Sequence, residues 1–250
     1  MDIKKIKHIV VSGCSQTSDG QGGVPPTIES PSGGCSFIPS PDYATSEPAS
    51  WAGMVAQSLN VSSIVNTAAG GHGNMLIATS LIEVLTRYPY PPDETLVLFN
   101  ISWSDRLDIP CSFLSPDSSQ HVTWSPDLIP FTYMDPPGST AGSALRKIVK
   151  NLGIEHIESL SCIALTSLFN FLENQKFNYR FLLGGNFDRY TQVQHVIKPY
   201  LNKLIVLDKE TPSIAEFVVA NQLNKDIIHP NPEGHQVISN IVLQALYDNR

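Results

Sequence analysis

An α/β chain is predicted, a three-layer α/β/α sandwich around a mostly parallel five-stranded sheet, and two observations carry that expectation. Five short apolar runs recur along the 250 residues, at Ile9–Ser12, Ser63–Asn66, Thr95–Ile101, Tyr179–Leu183 and Lys203–Leu207. They are continuous rather than alternating, the pattern of strands covered on both faces. Stretches of helical spacing lie between them, and strands alternating with helices give a doubly wound sheet.

Each helix candidate has its own signal. The segment Ser50–Leu59 follows Glu47-Pro48 and sets Trp51, Met54, Val55 and Leu59 on one side. Asn74–Arg87 repeats Met75, Leu76, Leu81, Ile82 and Leu85, and stops before Pro89, which disfavours helix at the residue preceding it. The stretch 141–175 reads as two helices broken near Gly153, and Glu233–Tyr247 carries Val237, Ile238, Ile241, Val242 and Ala245. Two segments break the alternation, at about 16–47 and 105–140. Both are rich in Pro, Ser, Gly and Asp, and both exceed ordinary connectors, so they read as walls or lids of a cleft. No repeat and no linker divides the chain, and a single domain over 1–250 is expected.

Composition narrows the function classes. With 42% hydrophobic and 16% charged residues there is ample material for a core. A formal net charge of −7, with no lysine/arginine cluster, argues against nucleic acid or an anionic membrane as partner. No apolar run approaches the roughly 20 residues that span a bilayer. The start, Met1-Asp-Ile-Lys-Lys, lacks the pattern of a signal peptide, so a cytoplasmic location is expected, with incorporation into a larger particle left open. Cys14, Cys35, Cys111 and Cys162 show no close pairing, which speaks against a zinc site and for reduced thiols.

The chemistry concentrates at the two ends. Near the C-terminus stands Asp226-Ile-Ile-His229-Pro-Asn-Pro-Glu-Gly-His235, an acid three residues before a histidine whose follower, proline, fixes the local backbone. One short loop thus offers a base and the carboxylate that orients it. At the other end, His8-Ile-Val-Val-Ser-Gly13-Cys14-Ser15 reads as a buried strand emptying into a turn that carries Ser15. A hydroxyl at a strand's carboxyl end with an Asp/His pair from a distant loop is the inventory of a Ser-His-Asp hydrolase. A lone serine of this kind is ordinarily a plain turn residue; the C-terminal segment is what raises it. Asp226, His229 and His235 lack a further ligand in register for a metal, and His235 reads as structural. The run Gly70-Gly71-His72-Gly73 has neither the lysine of a phosphate loop nor dinucleotide spacing. Trp103 and Trp124 fit either a pocket wall or core packing.

In order along the chain stand Val11-Ser-Gly13-Cys14-Ser15, Asn66-Thr-Ala-Ala-Gly70-Gly71-His72-Gly73-Asn74, Asn100-Ile-Ser-Trp-Ser104-Asp105 and the Asp226–His235 segment. These four blocks resemble those of the SGNH (GDSL-type) hydrolase superfamily, whose fold is flavodoxin-like, and they span almost the whole chain. The resemblance implies Ser15 as nucleophile, Asp226 and His229 as its partners, and the N–H groups of Ser15 and Gly71 as oxyanion donors. It also implies an O-acyl ester as substrate, an acetylated carbohydrate or a short-chain acyl ester, with no metal or cofactor. Two departures stand out. Cys14 replaces the family's aspartate before the serine, and Ser104 stands where the family has an oxyanion-hole asparagine, with Asn74 or Asn100 as alternative donors. The second departure keeps another class open: a catalytically impaired binding or structural module, for glycan recognition or as a viral accessory component. An acyltransferase with the same triad is a third reading, and the oligomeric state is not encoded.

Overall fold

The computed structural model describes residues 1–14, 16–17, 27–29, 35–37, 50–68, 72–104, 106–110, 121–124, 151–185, 191–226 and 228–248. In chain order the strands are β1 (His8–Ser12), β2 (Thr27–Glu29), β3 (Cys35–Phe37), β4 (Ser63–Asn66), β5 (Thr95–Ile101), β6 (Leu107–Pro110), β7 (His121–Trp124) and β8 (Asn178–Leu183). The helices are α1 (Trp51–Leu59), α2 (Asn74–Arg87), α3 (Ile154–Asn174), α4 (Thr191–Ile197), α5 (Ile214–Ala220) and α6 (Pro232–Asp248).

The main sheet is parallel throughout, in the order β4-β1-β5-β8. Because side chains alternate along a strand, each strand feeds two cores. Ile9, Val11, Ile64, Leu96, Leu98 and Leu182 meet Trp51 and Val55 of α1, Val218 of α5 and Ile238, Val242 and Leu246 of α6. On the opposite face Val10, Val65, Val97, Phe99, Tyr179 and Phe181 meet Ile77 and Leu81 of α2, Phe169 of α3 and Val193 of α4. Helices therefore cover both faces, which is why the strand sequences are continuously apolar.

Local signals set several boundaries. Ser50 caps α1, its Oγ accepting the Gly53 N–H at 3.2 Å, and Asn60 closes the helix in the left-handed region at φ 51°. Gly153, at φ 75°, immediately precedes α3, where the sequence places a helix break. The part of that helical stretch at 141–150 lies outside the described residues.

Two sequence expectations change, and two helices are added to them. The fifth strand, Lys203–Leu207, is not a strand. A 3-10 turn started by Lys198-Pro199 runs through Lys203, and only Leu204 bridges to Phe181, with Ile205 N donating to Phe181 O at 2.8 Å. Ile205 and Leu207 still enter the first core and Leu204 packs on the second, but Val206 is 46% exposed and no strand ladder continues past that bridge among the described residues. Helices α4 and α5 are seven residues each, too short for periodicity to reveal. The two long segments read as loops also hold antiparallel pairs, β2 with β3 and β6 with β7.

Strand β1 has β4 on one side and β5 on the other, so the chain reverses its winding direction at β1. Ligands of such sheets bind beyond the carboxyl ends of the strands at that reversal. Among the described residues no helix is long and apolar enough to cross a membrane.

Phe99 holds the second core together: it is fully buried and packs its ring 5.9 Å from Phe169 and 5.7 Å from Phe181. Phe99→Ala is expected to cost about 3–5 kcal/mol, measured as the shift in unfolding free energy by urea titration.

Candidate active site

The loop between α5 and α6 folds around the carboxylate of Asp226. Its Oδ1 accepts the backbone N–H of Ile228 at 3.1 Å and of His229 at 3.0 Å. Those two bonds turn the chain so that the His229 ring comes back over the acid, with Nδ1 2.8 Å from both Oδ1 and Oδ2. The three-residue spacing is what lets one carboxylate hold both the backbone and the ring. Lys225 N donates to His229 O at 2.9 Å and Asn231 N to Leu223 O at 2.7 Å, closing the loop like a hairpin, and Asn224 Nδ2 donates to Asp226 O. Asn231 Oδ1 then accepts Gly234 N at 2.7 Å and starts α6. A Cβ on Gly234 would lie 2.5 Å from Leu223 O, so only glycine lets helix and loop approach this closely. His235 is 4% exposed and accepts the Trp51 N–H on Nδ1 at 3.2 Å, joining α6 to α1. Its role is structural.

Burial pushes the Asp226 carboxyl up, but the N–H groups of Ile228 and His229 and the His229 ring outweigh it and hold the acid below its ordinary range. The acid is therefore ionised wherever the imidazole can act as a base. Asp226 is 47% and His229 26% exposed at the side chain, so the pair faces outward rather than into the core.

The turn after β1 is held from beneath. Asn100, fully buried near the end of β5, accepts the Cys14 N–H at 3.0 Å and the Thr17 hydroxyl at 2.6 Å on Oδ1. Its Nδ2 donates to Cys14 Sγ at 3.3 Å. Gly13 is needed there, since a Cβ would sit 1.9 Å from Asn100 Oδ1. Cys14 is a buried free thiol engaged below the turn, within the packing of the sheet's end. Ser15 itself lies outside the described residues. Its two neighbours do not: Gln16, fully buried, donates from Nε2 to Ile228 O at 3.3 Å. The turn carrying Ser15 and the loop carrying His229 are thus tied directly, across 212 positions of sequence.

The second and third blocks meet beside this turn. Asn74 Oδ1 accepts the Ser102 N–H at 2.8 Å, and its Nδ2 donates to Ser102 O at 3.1 Å. The two asparagines offered as alternative oxyanion donors each have Nδ2 engaged once, Asn74 on Ser102 O and Asn100 on Cys14 Sγ. Ser104 is fully buried, its carbonyl accepting from Ser161 Oγ at 2.9 Å, while its own Oγ has no hydrogen-bond partner among the described residues. Gly71 lies outside the described residues.

Two further residues, Arg106 and Asp108, assemble this corner without any sequence signal, together with Trp103. Arg106, 8% exposed, donates from Nη1 to His72 O at 3.2 Å and to Ser102 Oγ at 3.0 Å, and lies over the Trp103 ring at 4.4 Å. Asp108, on β6, accepts Gly73 N on Oδ1 and Leu76 N on Oδ2, each at 2.8 Å, and so caps α2 from outside. Trp103 packs on Gly185, where a Cβ would meet the indole at 2.3 Å. Trp103 is therefore a packing residue on this side. For Trp124 only the backbone, paired with Leu107, is described. Gln16, Arg106 and Asp108 act through contacts to residues remote in sequence, and no local pattern marks them. Among the described residues no group of three potential metal ligands occurs.

No family model and no curated protein matches the chain. Similar solved structures include the psychrotrophic esterase EstA from Pseudoalteromonas sp., at 11% identity and a TM-score of 0.49, covering 97% of each chain. A catalytic mutant of the acetylxylan esterase Axe2 from Geobacillus stearothermophilus is similar at 14% identity and a TM-score of 0.49, over 96% of this chain and 94% of that one. A GDSL-like lipase from Bacteroides thetaiotaomicron is similar at 13% identity and a TM-score of 0.48, over 99% and 91%.

Because the folded Asp226 carboxyl sits below its ordinary value, it contributes stability that is present above the unfolded value and lost as pH falls through the folded one. The stability difference between wild type and Asp226→Asn is expected to be flat above about pH 5 and to shrink below about pH 4, read from urea melts across pH. Gly234→Ala is expected to lose about 1–3 kcal/mol, since the added methyl meets a backbone carbonyl that cannot swing aside.

Proposed function

We propose that the chain is a serine ester hydrolase of the SGNH type, a single domain acting without metal or cofactor. The observation that carries this reading is the Asp226–His229 pair, with Nδ1 2.8 Å from each carboxylate oxygen, tied through Gln16 to the turn that bears Ser15. Holding Nδ1 as the protonated nitrogen leaves Nε2 as the ring's basic position, the tautomer a triad needs.

In this mechanism Ser15 Oγ attacks the ester carbonyl while His229 Nε2 takes its proton. Asp226 fixes the ring and stabilises the imidazolium. The N–H groups of Ser15 and Gly71 and the Ser104 hydroxyl bind the developing oxyanion. Collapse expels the alcohol, protonated by His229, and leaves an acyl-serine. Water then attacks the acyl carbon, its proton passing to His229 and on to Ser15 Oγ as the acid leaves. The substrate is an O-acyl ester of a hydrophilic alcohol, an acetylated carbohydrate or another short-chain acyl ester. The polar composition of the segments at 16–47 and 105–140 supports that side of the choice over a lipid.

One observation favours a second reading, a binding module on the same scaffold. Nδ2 of Asn74 already donates to Ser102 O and Nδ2 of Asn100 to Cys14 Sγ, and the group standing at the asparagine's place is the short, fully buried Ser104 hydroxyl.

Hydrolysis of p-nitrophenyl acetate separates the two. Ser15→Ala is expected to abolish turnover, and Asp226→Asn to lower kcat by about 10⁴, the size of the loss seen when a triad aspartate is neutralised in a serine protease. Ser104→Ala is expected to lower kcat by about 10²–10³. Activity unchanged by Ser15→Ala removes the serine from the mechanism; no activity in wild type, on this ester and on acetylated sugars, puts the binding module ahead.

A further inference from the structure

The mechanism above needs Ser15 Oγ and His229 Nε2 at a fixed separation, yet they come from opposite ends of the chain. A hydroxyl in a turn and an imidazole in an outward-facing loop have no shared strand to set that distance. The loop is locally well made. Its own hydrogen bonds hold Asp226 against His229 and tie the loop to the ends of α5 and α6, but those bonds do not reach the turn of Ser15.

Ile228 is the residue through which placement passes. Its N–H is held by Asp226 Oδ1 at 3.1 Å, and its carbonyl is held by Gln16 Nε2 at 3.3 Å. That carbonyl belongs to the peptide bond leading into His229, whose N–H is in turn bound to Asp226 Oδ1 at 3.0 Å. The peptide plane carrying His229 is therefore fixed at both ends, by the acid of its own loop and by an amide from the turn of Ser15.

Gln16 is built into this position. It is fully buried, and its Oε1 lies 3.6 Å from the Cys14 thiol, which orients the amide so that Nε2 points at Ile228. Gly184, at the end of β8, leaves the room: a Cβ there would stand 2.9 Å from Gln16 Oε1 and 2.6 Å from Asn100 Nδ2. On the other side Thr17 is anchored to Asn100 at 2.6 Å, so the residue next to the amide cannot drift. A buried glutamine whose amide reaches out to one loop carbonyl is more than a space-filler, since a leucine or methionine would fill the same volume without a polar group to satisfy.

We propose that Gln16 is a positioning residue for the Ser15–His229 pair, setting the distance across which the proton moves by holding the peptide that carries His229. The proposal rests on the hydrolase reading above. It gives Gln16 no contact with substrate and no part in the proton's path.

The test is the rate at which a fluorophosphonate labels Ser15, its Oγ displacing fluoride at phosphorus, together with kcat and KM on p-nitrophenyl acetate and the melting temperature. Two variants are compared. Gln16→Met keeps the length and removes the donor; Gln16→Glu restores a donor only when its carboxyl is protonated. The titratable groups around that carboxyl are Cys14 on its own turn and Asp226 and His229 on the facing loop, so each rate is taken as a ratio to wild type at the same pH.

Gln16→Met is expected to label and turn over about tenfold to a hundredfold more slowly, the scale of a misplacement near 1 Å, with KM unchanged and the ratio independent of pH. Gln16→Glu is expected to approach wild type at the acid end and to fall away as pH rises, as the donor is lost. Equal labelling of wild type and Gln16→Met overturns the proposal while leaving the hydrolase intact. A slow Gln16→Glu at every pH, with a lowered melting temperature, also overturns it and makes Gln16 merely structural. A wild type that the reagent labels no faster than Ser15→Ala overturns the hydrolase reading itself, and the positioning role with it.

Discussion

One carboxamide underlies the candidate site. Asn100 stands at the carboxyl end of the central strand β5, and its oxygen takes both the Cys14 N–H and the Thr17 hydroxyl. The turn after β1 has few groups of its own to bond with, because the strand ladder ends at Ser12. An unpaired buried N–H there would cost about 1–3 kcal/mol. Asn100 supplies the partner, and Gly13 lacks a side chain because that partner is so close. Everything beyond it, the direction of Gln16 and its hold on the C-terminal loop, is built from a turn whose backbone Asn100 has already fixed.

The sheet explains why such a carboxamide is available. Parallel strands covered on both faces carry apolar side chains until they end, and polar ones gather where the layers part. Asn100, Ser102 and Ser104 follow Leu96, Leu98 and Phe99 along one short stretch, and all of them are fully buried. Such residues must bond to one another or to what fills the space between them. Asn74 bonds the Ser102 backbone on both sides and Arg106 its hydroxyl, which accounts for the third block. The Ser104 hydroxyl is the group in that series whose partner is not among the described residues.

Much of this was legible in the sequence, and the parts that were not share a cause. Thr95–Ile101 and Ser63–Asn66 read as strands because short apolar runs between helical stretches fit strands covered on two faces. Asp226 and His229 were legible because their interaction is local, three residues apart, and leaves a spacing on the page. Lys203–Leu207 misled because an apolar run reports burial and not pairing: its residues reach the cores, but Leu204 alone bridges to β8. Gln16, Arg106 and Asp108 left no trace, since each acts on a backbone group far along the chain and a backbone group has no letter. Asn74 and Asn100 were visible as residues, but their commitments were not: the same amide that could bind an oxyanion can also hold a peptide, and only geometry distinguishes these.

The cap on α2 has a consequence for how the chain can vary. Asp108 belongs to the segment that departs from the sheet after β5, yet it completes the first turn of a helix that begins at Asn74. Asn74 is in turn the residue that grips Ser102. The outgrowth on this side is accordingly no detachable ornament that could be trimmed or exchanged for a neighbour's while the scaffold stayed indifferent. Its first few residues are masonry of the scaffold itself. A lineage that remodels this rim for new ligands would have to keep an acceptor at Asp108 or find another cap for the helix.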